Sequence, residues 1–170
     1  MRKTRFMTFC AGLAIAAVAL FAAPATAGAL TDTAENAIVD AVLRGQTLGA
    51  PATPHWGLTT DTCTDAGSGT EPVGNGYARV SYAASLANWA ATQGGALAST
   101  GTTGTTSNSN PITWIESTGA WGTVQAVRLY TASSGGSVWI CIDLTTPFAV
   151  SAAGVTVRFP AGALTFQIDN

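Results

Sequence analysis

Apolar and polar residues alternate most regularly near the end of the chain. The first alternating run consists of Val155, Val157 and Phe159, and the second of Leu164, Phe166 and Ile168. A period of two places apolar side chains on one face of a β-strand. Because the intervening Pro160–Gly162 has the composition of a turn, the two strands are expected to form an antiparallel hairpin.

Further segments rich in aromatic and β-branched residues are spread over the rest of the chain. They are His55–Leu58, Tyr77–Tyr82, Ile112–Ile115, Thr123–Tyr130, Val138–Leu144 and Phe148–Val150. Turn-forming residues separate them, and Ser133–Gly136 is expected to turn the chain just before Val138. Short strands with turn signals at this spacing predict an all-β fold, an antiparallel β-sandwich of the jelly-roll-like kind.

One segment has helical periodicity instead. Within residues 31–44 the apolar residues recur at helical spacing and form one face, made of Ala34, Ala37, Ile38, Ala41 and Val42. Asp32 and Glu35 have the spacing of a capping box, and Gly45 follows the last turn. A lone helix of this length is unstable, so this N-terminal α-helix is expected to pack on the sheet or on a neighbouring subunit.

The stretch Asp65–Val80 is expected to organise the fold. Its first half is rich in glycine and contains Pro72, whereas its second half alternates like a strand. We interpret it as an ordered loop that presents a contact surface. The predicted contact residues are Asp65, Glu71, Tyr77 and Arg79. Arg79 is expected to pair with Glu71 or with an acid on a neighbouring copy, as a surface pair contributing ~0–1 kcal/mol.

Residues 1–27 have the composition of a secretory signal peptide. Basic residues near the start precede an apolar run at about residues 9–23, and Ala25, Thr26 and Ala27 supply the small residues that signal peptidase requires. The run is short and alanine-rich for a membrane span, so cleavage before Gly28 is expected, with no span afterwards. The predicted division is a signal peptide at 1–27, an N-terminal helix and linker at 28–50, and a β-sandwich at 51–170.

Cleavage would also change the charge. The full chain has a net charge of −2, and loss of Arg2, Lys3 and Arg5 leaves four arginines against nine acidic residues, a net charge of −5. Nucleic acids and anionic membrane surfaces bind proteins through clustered basic residues. The composition therefore excludes them as partners. The polar stretch Gly94–Asn110 is expected to be an exposed loop.

Two cysteines remain after cleavage, Cys63 and Cys141. In an exported protein, whether periplasmic or extracellular, a single pair most simply forms a disulfide. A metal site built on two thiolates is the alternative, but no second pair of ligands accompanies them.

Catalysis has little support in the sequence. His55 is the single histidine, and no Gly-x-Ser-x-Gly motif occurs, so neither catalytic residues nor a cofactor are predicted. Asp61, Asp65 and Glu71 are the one cluster of carboxylates. Either they are solvated acids or, with backbone carbonyls, they hold a calcium ion.

The chain has five tryptophans, which leaves a glycan-binding or adhesive module as the alternative function. Trp121 directly precedes a predicted strand and Trp139 alternates with Cys141 in another, so both are expected to fill the core. Trp89 precedes the polar loop and is the best candidate for a glycan contact. This alternative predicts an exposed aromatic platform, and a buried position for all five tryptophans would exclude it.

Six motifs occur in an order that is more specific than any one of them. They are Leu43-Arg44 before a Pro/Ala linker and Gly57-Leu58-Thr59-Thr60, Asp65-Ala66-Gly67-x-Gly69-Thr70-Glu71, Gly74-x-Gly76-Tyr77-Ala78-Arg79-Val80, Trp121-Gly122-Thr123-Val124, Leu144-Thr145-Thr146-Pro147, and Arg158-Phe159-Pro160-Ala161-Gly162-Ala163-Leu164. Over nearly all of residues 30–169 this order resembles a family of small tailed-phage virion proteins described as tail-fibre-like.

The resemblance implies a β-sandwich that assembles into a virion, without enzymatic activity or catalytic residues. The expected partners are further copies of the chain, associating through the β-sandwich, and other virion or surface-assembly proteins. Phage structural proteins usually assemble in the cytoplasm, whereas the leader and the cysteine pair fit export. The expected setting is therefore a virion or a surface assembly derived from a phage module.

Overall fold

The computed structural model describes residues 19–21, 29–90 and 104–168. These residues form mostly β-structure with a single helix, α1, at Asp32–Leu43. The strands in this part of the chain are β1 Ala19–Phe21, β2 Ala29–Leu30, β3 His55–Thr59, β4 Val80–Ser81, β5 Trp89–Ala90, β6 Thr105–Asn108, β7 Ile112–Thr113, β8 Gly122–Tyr130, β9 Val138–Val150, β10 Thr156–Phe159 and β11 Thr165–Gln167. The prediction of an all-β fold with one N-terminal helix is confirmed.

The strands form one large sheet and two small ones. The large sheet has five antiparallel strands in the order β2-β9-β8-β3-β4. The small sheets have the orders β1-β10-β7 and β11-β6-β5, and all their pairs are antiparallel except the parallel pair of β1 with β10. Side chains of all three sheets meet in one hydrophobic core, which includes Trp56 and Leu58 of β3, Phe159 of β10 and Phe166 of β11.

The two faces of the large sheet have different surroundings. On β3, Leu58 points into the core, whereas Gly57 and Thr59 lie on the opposite face, since side chains alternate along a strand. Arg128 of β8 is paired in register with Gly57, so it belongs to the same opposite face. Several residues of the segment 61–79 contact Arg128 and Tyr130 on this face, and we call this segment the covering loop.

The helix differs from its prediction in two respects. Thr31 is the N-cap residue, and Asp32 is already helical, so Asp32 and Glu35 do not form the predicted capping box. Thr31 makes no side-chain cap, because its hydroxyl donates to the carbonyl of Val138. The predicted end is confirmed, since Gly45 has a φ of 67° and the next N–H, of Gln46, bonds to the carbonyl of Asp40.

The predicted hairpin of the last two strands is wrong. β10 pairs with β7, and β11 pairs with β6, so the turn at Pro160–Gly162 joins two different sheets. The cause is the fully buried Asn108, whose side-chain amide donates to the carbonyl of Pro160 and whose carbonyl accepts the N–H of Leu164. These bonds hold the turn against β6 and direct the two strands to different neighbours.

Other predicted strands change in extent. Val138–Leu144 and Phe148–Val150 are one strand, β9, whose pairing with β8 is irregular between Val124 and Ala126. Pro147 lies at this irregularity, where its missing N–H leaves no ladder bond unmade. Tyr77–Tyr82 and Ile112–Ile115 are reduced to two paired residues each. The turn at Ser133–Gly136 between β8 and β9 is confirmed.

Several expectations fall on residues outside the described ranges. They include the signal peptide apart from Ala19–Phe21, the expected cleavage point before Gly28, and residues 94–103 of the polar stretch. The rest of that stretch contains β6. Within the described ranges, no helix has the length and apolar character needed to cross a membrane.

Candidate contact surface

The covering loop is attached to the large sheet at its first residues by a disulfide. Cys63 is bonded to Cys141 of β9, with an S–S distance of 2.03 Å, as the sequence predicted. Beside it, the backbone N–H of Cys63 donates to the carboxylate of Asp143 at 2.8 Å. We call the Cys63–Cys141 bond the loop disulfide. It connects positions 78 residues apart in the sequence.

A buried arginine forms the second attachment. Arg128 is only 1% exposed, and its Nη1 donates to Asp61 Oδ1 at 2.6 Å and to the hydroxyl of Thr59 at 2.5 Å. Its Nη2 donates to the carbonyl of Thr62 at 2.7 Å. The other oxygen of Asp61 accepts the N–H of Thr70 at 2.8 Å, so one carboxylate joins both ends of the loop's first half.

This arrangement perturbs the titration of Asp61. Partial burial by itself raises the pKa of the carboxyl, but the hydrogen bonds from Arg128 and Thr70 and the charge of Arg128 outweigh burial and lower the pKa below its usual value. Asp61 therefore stays ionised and paired with Arg128 at a lower pH than an unperturbed aspartate would.

A second ion pair closes the other half of the loop. Arg79 and Glu71 meet with an Nη2–Oε2 distance of 2.5 Å, and the side chain of Arg79 is only 6% exposed. Nε of Arg79 also approaches both carboxylate oxygens, at 2.9 and 3.0 Å. Nη1 donates to the carbonyls of Ala132 and Gly135 in the β8–β9 turn. The guanidinium carbon lies 3.4 Å from the ring centre of Tyr130, a cation–π contact.

Tyr77 joins this ion pair to the edge of the sheet. Its hydroxyl donates to Glu71 Oε1 at 2.7 Å and accepts the backbone N–H of Leu58 at 2.8 Å. We call Glu71, Tyr77, Arg79 and Tyr130 the Glu71 network. The predicted pairing of Arg79 with Glu71 is confirmed, but it is a mostly buried pair rather than a surface pair.

Both tyrosines of the Glu71 network are held in their neutral form. Burial raises the pKa of Tyr77 far above its usual value, and the adjacent carboxylate of Glu71 raises it further. Burial and the charge of Glu71 raise the pKa of Tyr130 to about 12, although Arg79 and Arg128 act in the opposite direction. The Tyr130 hydroxyl donates to the carbonyl of Ser68, which fixes the middle of the covering loop.

Two glycines allow the loop and sheet to approach this closely. A Cβ on Gly57 would lie 2.7 Å from Glu71 Oε1 and 2.7 Å from Cε2 of Tyr130. A Cβ on Gly69 would lie 1.5 Å from Nη1 of Arg128, and Gly69 also has a φ of 75°. Side chains at either position would displace the groups that hold the loop.

The tip of the loop is held as well. Asn75 has a φ of 50° and lies between two glycines with positive φ, and its carbonyl accepts the indole N–H of Trp121 at 2.9 Å. Its amide donates to the carbonyl of Ala120 at 2.8 Å. Next to this fixed turn, Val73 is 91% exposed. The loop thus presents an apolar side chain to solvent on a firmly held backbone.

Two open clefts border the covering loop. One, of about 370 Å³, is lined by Glu71, Tyr77 and Arg79, by Val73, and by residues 133–135 of the β8–β9 turn. The other, of about 360 Å³, lies between the start of α1, residues 65–68 and residues 136–138. The exposed Asp65 borders the second cleft, where its backbone carbonyl accepts the N–H of Asp32.

The predicted contact residues are therefore divided. Glu71, Tyr77 and Arg79 come together in one network, whereas Asp65 lies at the other cleft. Sequence reasoning missed Arg128 and Gly57. The sequence carried a signal for Arg128, because it is the one charged residue within the apolar β8 run from Ala126 to Tyr130.

The carboxylates proposed for calcium are not gathered into a site. Asp61 is bonded to Arg128 and Glu71 to Arg79, and no group of three potential metal ligands occurs among the described residues. His55 is half-buried on β3, and within the same residues no hydrogen bond joins its side chain to a serine or an acid.

The tryptophans differ in exposure. Trp56, Trp114 and Trp121 are buried in the core, and Trp89 and Trp139 are half-buried and packed against it. Trp89 lies 5.3 Å from the ring of Trp56 and 5.3 Å from that of Tyr82, measured between ring centres. The candidate glycan contact is thus part of an aromatic cluster.

Comparison with known proteins identifies the family. No curated protein matches the chain significantly. The family model described as podophage GP4 fiber I protein gp80 matches residues 29–167, which is well over half of the chain and includes α1, the covering loop and all strands from β2 to β11. The chain therefore belongs to this family of phage fibre proteins.

Proposed function

We propose that the chain is a self-associating, non-enzymatic structural subunit of a phage fibre, or of a surface assembly derived from one. The observation that carries this proposal is the family match, which covers the whole sandwich rather than a short motif. The contacts of the buried arginines also support a structural role. Arg79 forms an ion pair with Glu71, and Arg128 forms one with Asp61. Both pairs fix the covering loop on the sheet, which is a structural role.

The covering loop is the surface through which the subunit meets other virion proteins. The Glu71 network and Arg128 act from inside by fixing the loop conformation, and the exposed Val73 and Asp65 provide direct contacts. A loop that is ordered before binding loses less conformational entropy on association, which favours a stable assembly.

The subunit reaches this assembly after export and cleavage before Gly28. Two observations support this step. The family match begins at residue 29, directly after the expected cleavage point. The loop disulfide is typical of proteins that fold in oxidising compartments. Intact mass of protein produced from the full gene tests it: a chain from Gly28 lacking two hydrogens is expected, and an uncleaved chain with free thiols would contradict export.

Assembly is tested by separating particles from soluble protein on a density gradient and detecting the chain by mass spectrometry. We expect the chain in the particle fraction, in stoichiometric amounts relative to other structural proteins. Light scattering across a concentration series tests self-association separately. A mass that stays monomeric at every concentration would contradict self-association, while the family assignment would stand.

A further inference from the structure

The tip of the covering loop, residues 74–76, contains the one Asn-Gly pair in the chain, Asn75-Gly76. Asparagine is chemically labile, and a following glycine favours the reaction because it has no Cβ to hinder attack by its backbone nitrogen. The nitrogen of Gly76 bonds to Cγ of Asn75, the Cγ–Nδ2 bond breaks, and ammonia leaves with the proton of the Gly76 N–H. Water then opens the resulting cyclic imide at either carbonyl, so the products are isoaspartate and aspartate.

In the folded protein, Asn75 is held in an orientation that does not react. Its side-chain amide donates to the carbonyl of Ala120 at 2.8 Å, and its backbone carbonyl accepts the N–H of Thr118 at 3.0 Å and the indole N–H of Trp121 at 2.9 Å. The side chain and the backbone carbonyl therefore point towards the same segment. Because the oxygen and the nitrogen of a peptide unit lie on opposite sides of its carbonyl carbon, the nitrogen of Gly76 points away from Cγ of Asn75.

Gly119 allows the side chain of Asn75 to pack closely on this segment. A Cβ on Gly119 would lie 2.7 Å from Oδ1, 2.8 Å from Cγ and 3.2 Å from Nδ2 of Asn75, so the amide occupies the space that a side chain at position 119 would need. Rotation of the amide towards Gly76 would break this contact and the bond to Ala120. The reaction therefore requires an opening of the tip, in which residues 74–76 separate from residues 118–121.

We propose that Asn75 is a site of spontaneous deamidation that the folded tip protects, and that conversion makes an opening of the tip permanent. A carboxylate only accepts hydrogen bonds, so the aspartate product cannot bond to the carbonyl of Ala120 and is repelled by it. Isoaspartate routes the main chain through the former side chain, which adds a methylene and displaces the oxygen that the Trp121 indole uses. The modified tip, beside the exposed Val73, is thus released from residues 118–121. This inference goes beyond the proposed structural role and does not depend on it.

Peptide mapping measures the reaction at this position alone. After reduction of the loop disulfide, cleavage at Arg44 and Arg79 releases residues 45–79, in which Asn75 is the one asparagine. Protein from the full gene is incubated at mildly alkaline pH, folded in buffer or unfolded in guanidinium chloride, and the isoaspartyl and aspartyl peptides are quantified. Since only the open state reacts, the folded rate is the open fraction times the unfolded rate, so folded protein should convert roughly tenfold more slowly or less. Equal rates would overturn the protection, and an unfolded chain that does not convert would overturn the site.

Two glycine variants test whether the contacts of the tip provide the protection. Gly119→Ala displaces the amide of Asn75, whereas Gly67→Ala places a Cβ 2.1 Å from Thr64 Oγ1, in the same loop but away from the tip. Neither glycine has a positive φ, so alanine adds no backbone strain at either position. In folded protein, Gly119→Ala should speed conversion roughly threefold or more, and Gly67→Ala should leave it within about twofold of the unaltered rate. Equal rates in the two variants would overturn the role of the tip contacts.

The Asn75→Asp variant, which has the side chain of one product, tests whether conversion releases the tip without waiting for the reaction. The Trp121 indole N–H bonds to the carbonyl of residue 75, so its hydrogen exchange, followed by NMR, reports whether the tip is docked. We expect this exchange to be roughly tenfold faster than in the unaltered protein. An unchanged exchange rate would show that the modified tip docks as before and would overturn the permanence of the opening.

Discussion

Removing Arg79 should destabilise the protein far more than removing Arg44, although both arginines contact a carboxylate. Arg79→Ala removes the bonds to Glu71, the two bonds to carbonyls of the β8–β9 turn, and the contact with Tyr130. It also leaves Glu71, whose side chain is 22% exposed, without a counter-charge. Breaking such a buried pair on one side costs about 3–5 kcal/mol of unfolding free energy, and the partial exposure of Glu71 favours the lower value, about 3 kcal/mol.

Arg44→Ala is the matched control. Arg44 lies 3.0 Å from Asp40, but the two side chains are 72% and 40% exposed. An exposed i, i+4 pair contributes about 0.3–0.5 kcal/mol, so the loss should be near the limit of measurement. The control therefore compares a buried pair that carries further bonds with a single exposed pair.

Urea unfolding followed by tryptophan fluorescence, with the loop disulfide intact, gives both free energies from midpoint and slope. A loss below about 1 kcal/mol for Arg79→Ala, comparable to the control, would refute the reasoning. A cycle with Glu71→Ala adds a second criterion. Residues in direct contact should show a coupling energy of about 0.5–3 kcal/mol, so the double variant should cost less than the two single losses combined.

Three further predictions concern the glycines, the disulfide and the tyrosines. Gly69→Ala should destabilise the protein by several kcal/mol, because the added Cβ would collide with Arg128. Gly74 has a similar φ but open space around it, so Gly74→Ala should lower the unfolding free energy by only about 1 kcal/mol. Equal losses of stability in thermal unfolding would show that the contact with Arg128 is unimportant. Replacing the loop disulfide by Cys63→Ser/Cys141→Ala should lower the unfolding free energy by about 4.5 kcal/mol, the chain-entropy value for a separation of 78 residues. Urea unfolding of the variant and of the unaltered protein, with and without reductant, measures this loss. The pKa values of Tyr77 and Tyr130 are raised in the folded protein, so their contribution to stability is complete below about pH 10, the pKa of an unfolded tyrosine. This contribution is lost as the pH rises through the folded pKa values, and the pKa of Tyr130 is about 12. In a Tyr82→Phe variant, tyrosinate absorbance that appears at about pH 10 in the folded protein would contradict the burial of both tyrosines.

The sequence predicted the elements whose signals are local. Alternation and turn residues located β8, β10 and β11, and the helical spacing located α1 with its end at Gly45. Local patterns carry no information about which strands become neighbours. The hairpin prediction therefore failed, because the side chain of Asn108, more than fifty residues before the turn, decides how the turn at Pro160–Gly162 is held.

The sequence predicted where the contact surface lies but not which buried contacts hold it in place. The glycine-rich composition indicated an ordered loop at Asp65–Val80, and opposite charges at Glu71 and Arg79 indicated a pair. Whether a pair is exposed depends on what packs over it, and here Tyr130 of β8 and the β8–β9 turn cover Arg79. Those segments are distant in the sequence, so the strength of the pair could not be predicted from spacing.

The way the sheet edge is closed bears on where copies can meet. β4 pairs with β3 at only two positions, His55 and Trp56, which leaves the outward backbone groups of the next residues for another partner. Residues of the covering loop occupy two of these groups: the hydroxyl of Tyr77 accepts the N–H of Leu58, and the carbonyl of Thr70 accepts the N–H of Thr60. An incoming strand would have to displace these bonds and, with them, the Glu71 network. Unpaired edges are the usual sites of strand addition between subunits. Since the covering loop closes this edge, strand addition at this edge would require internal hydrogen bonds to break.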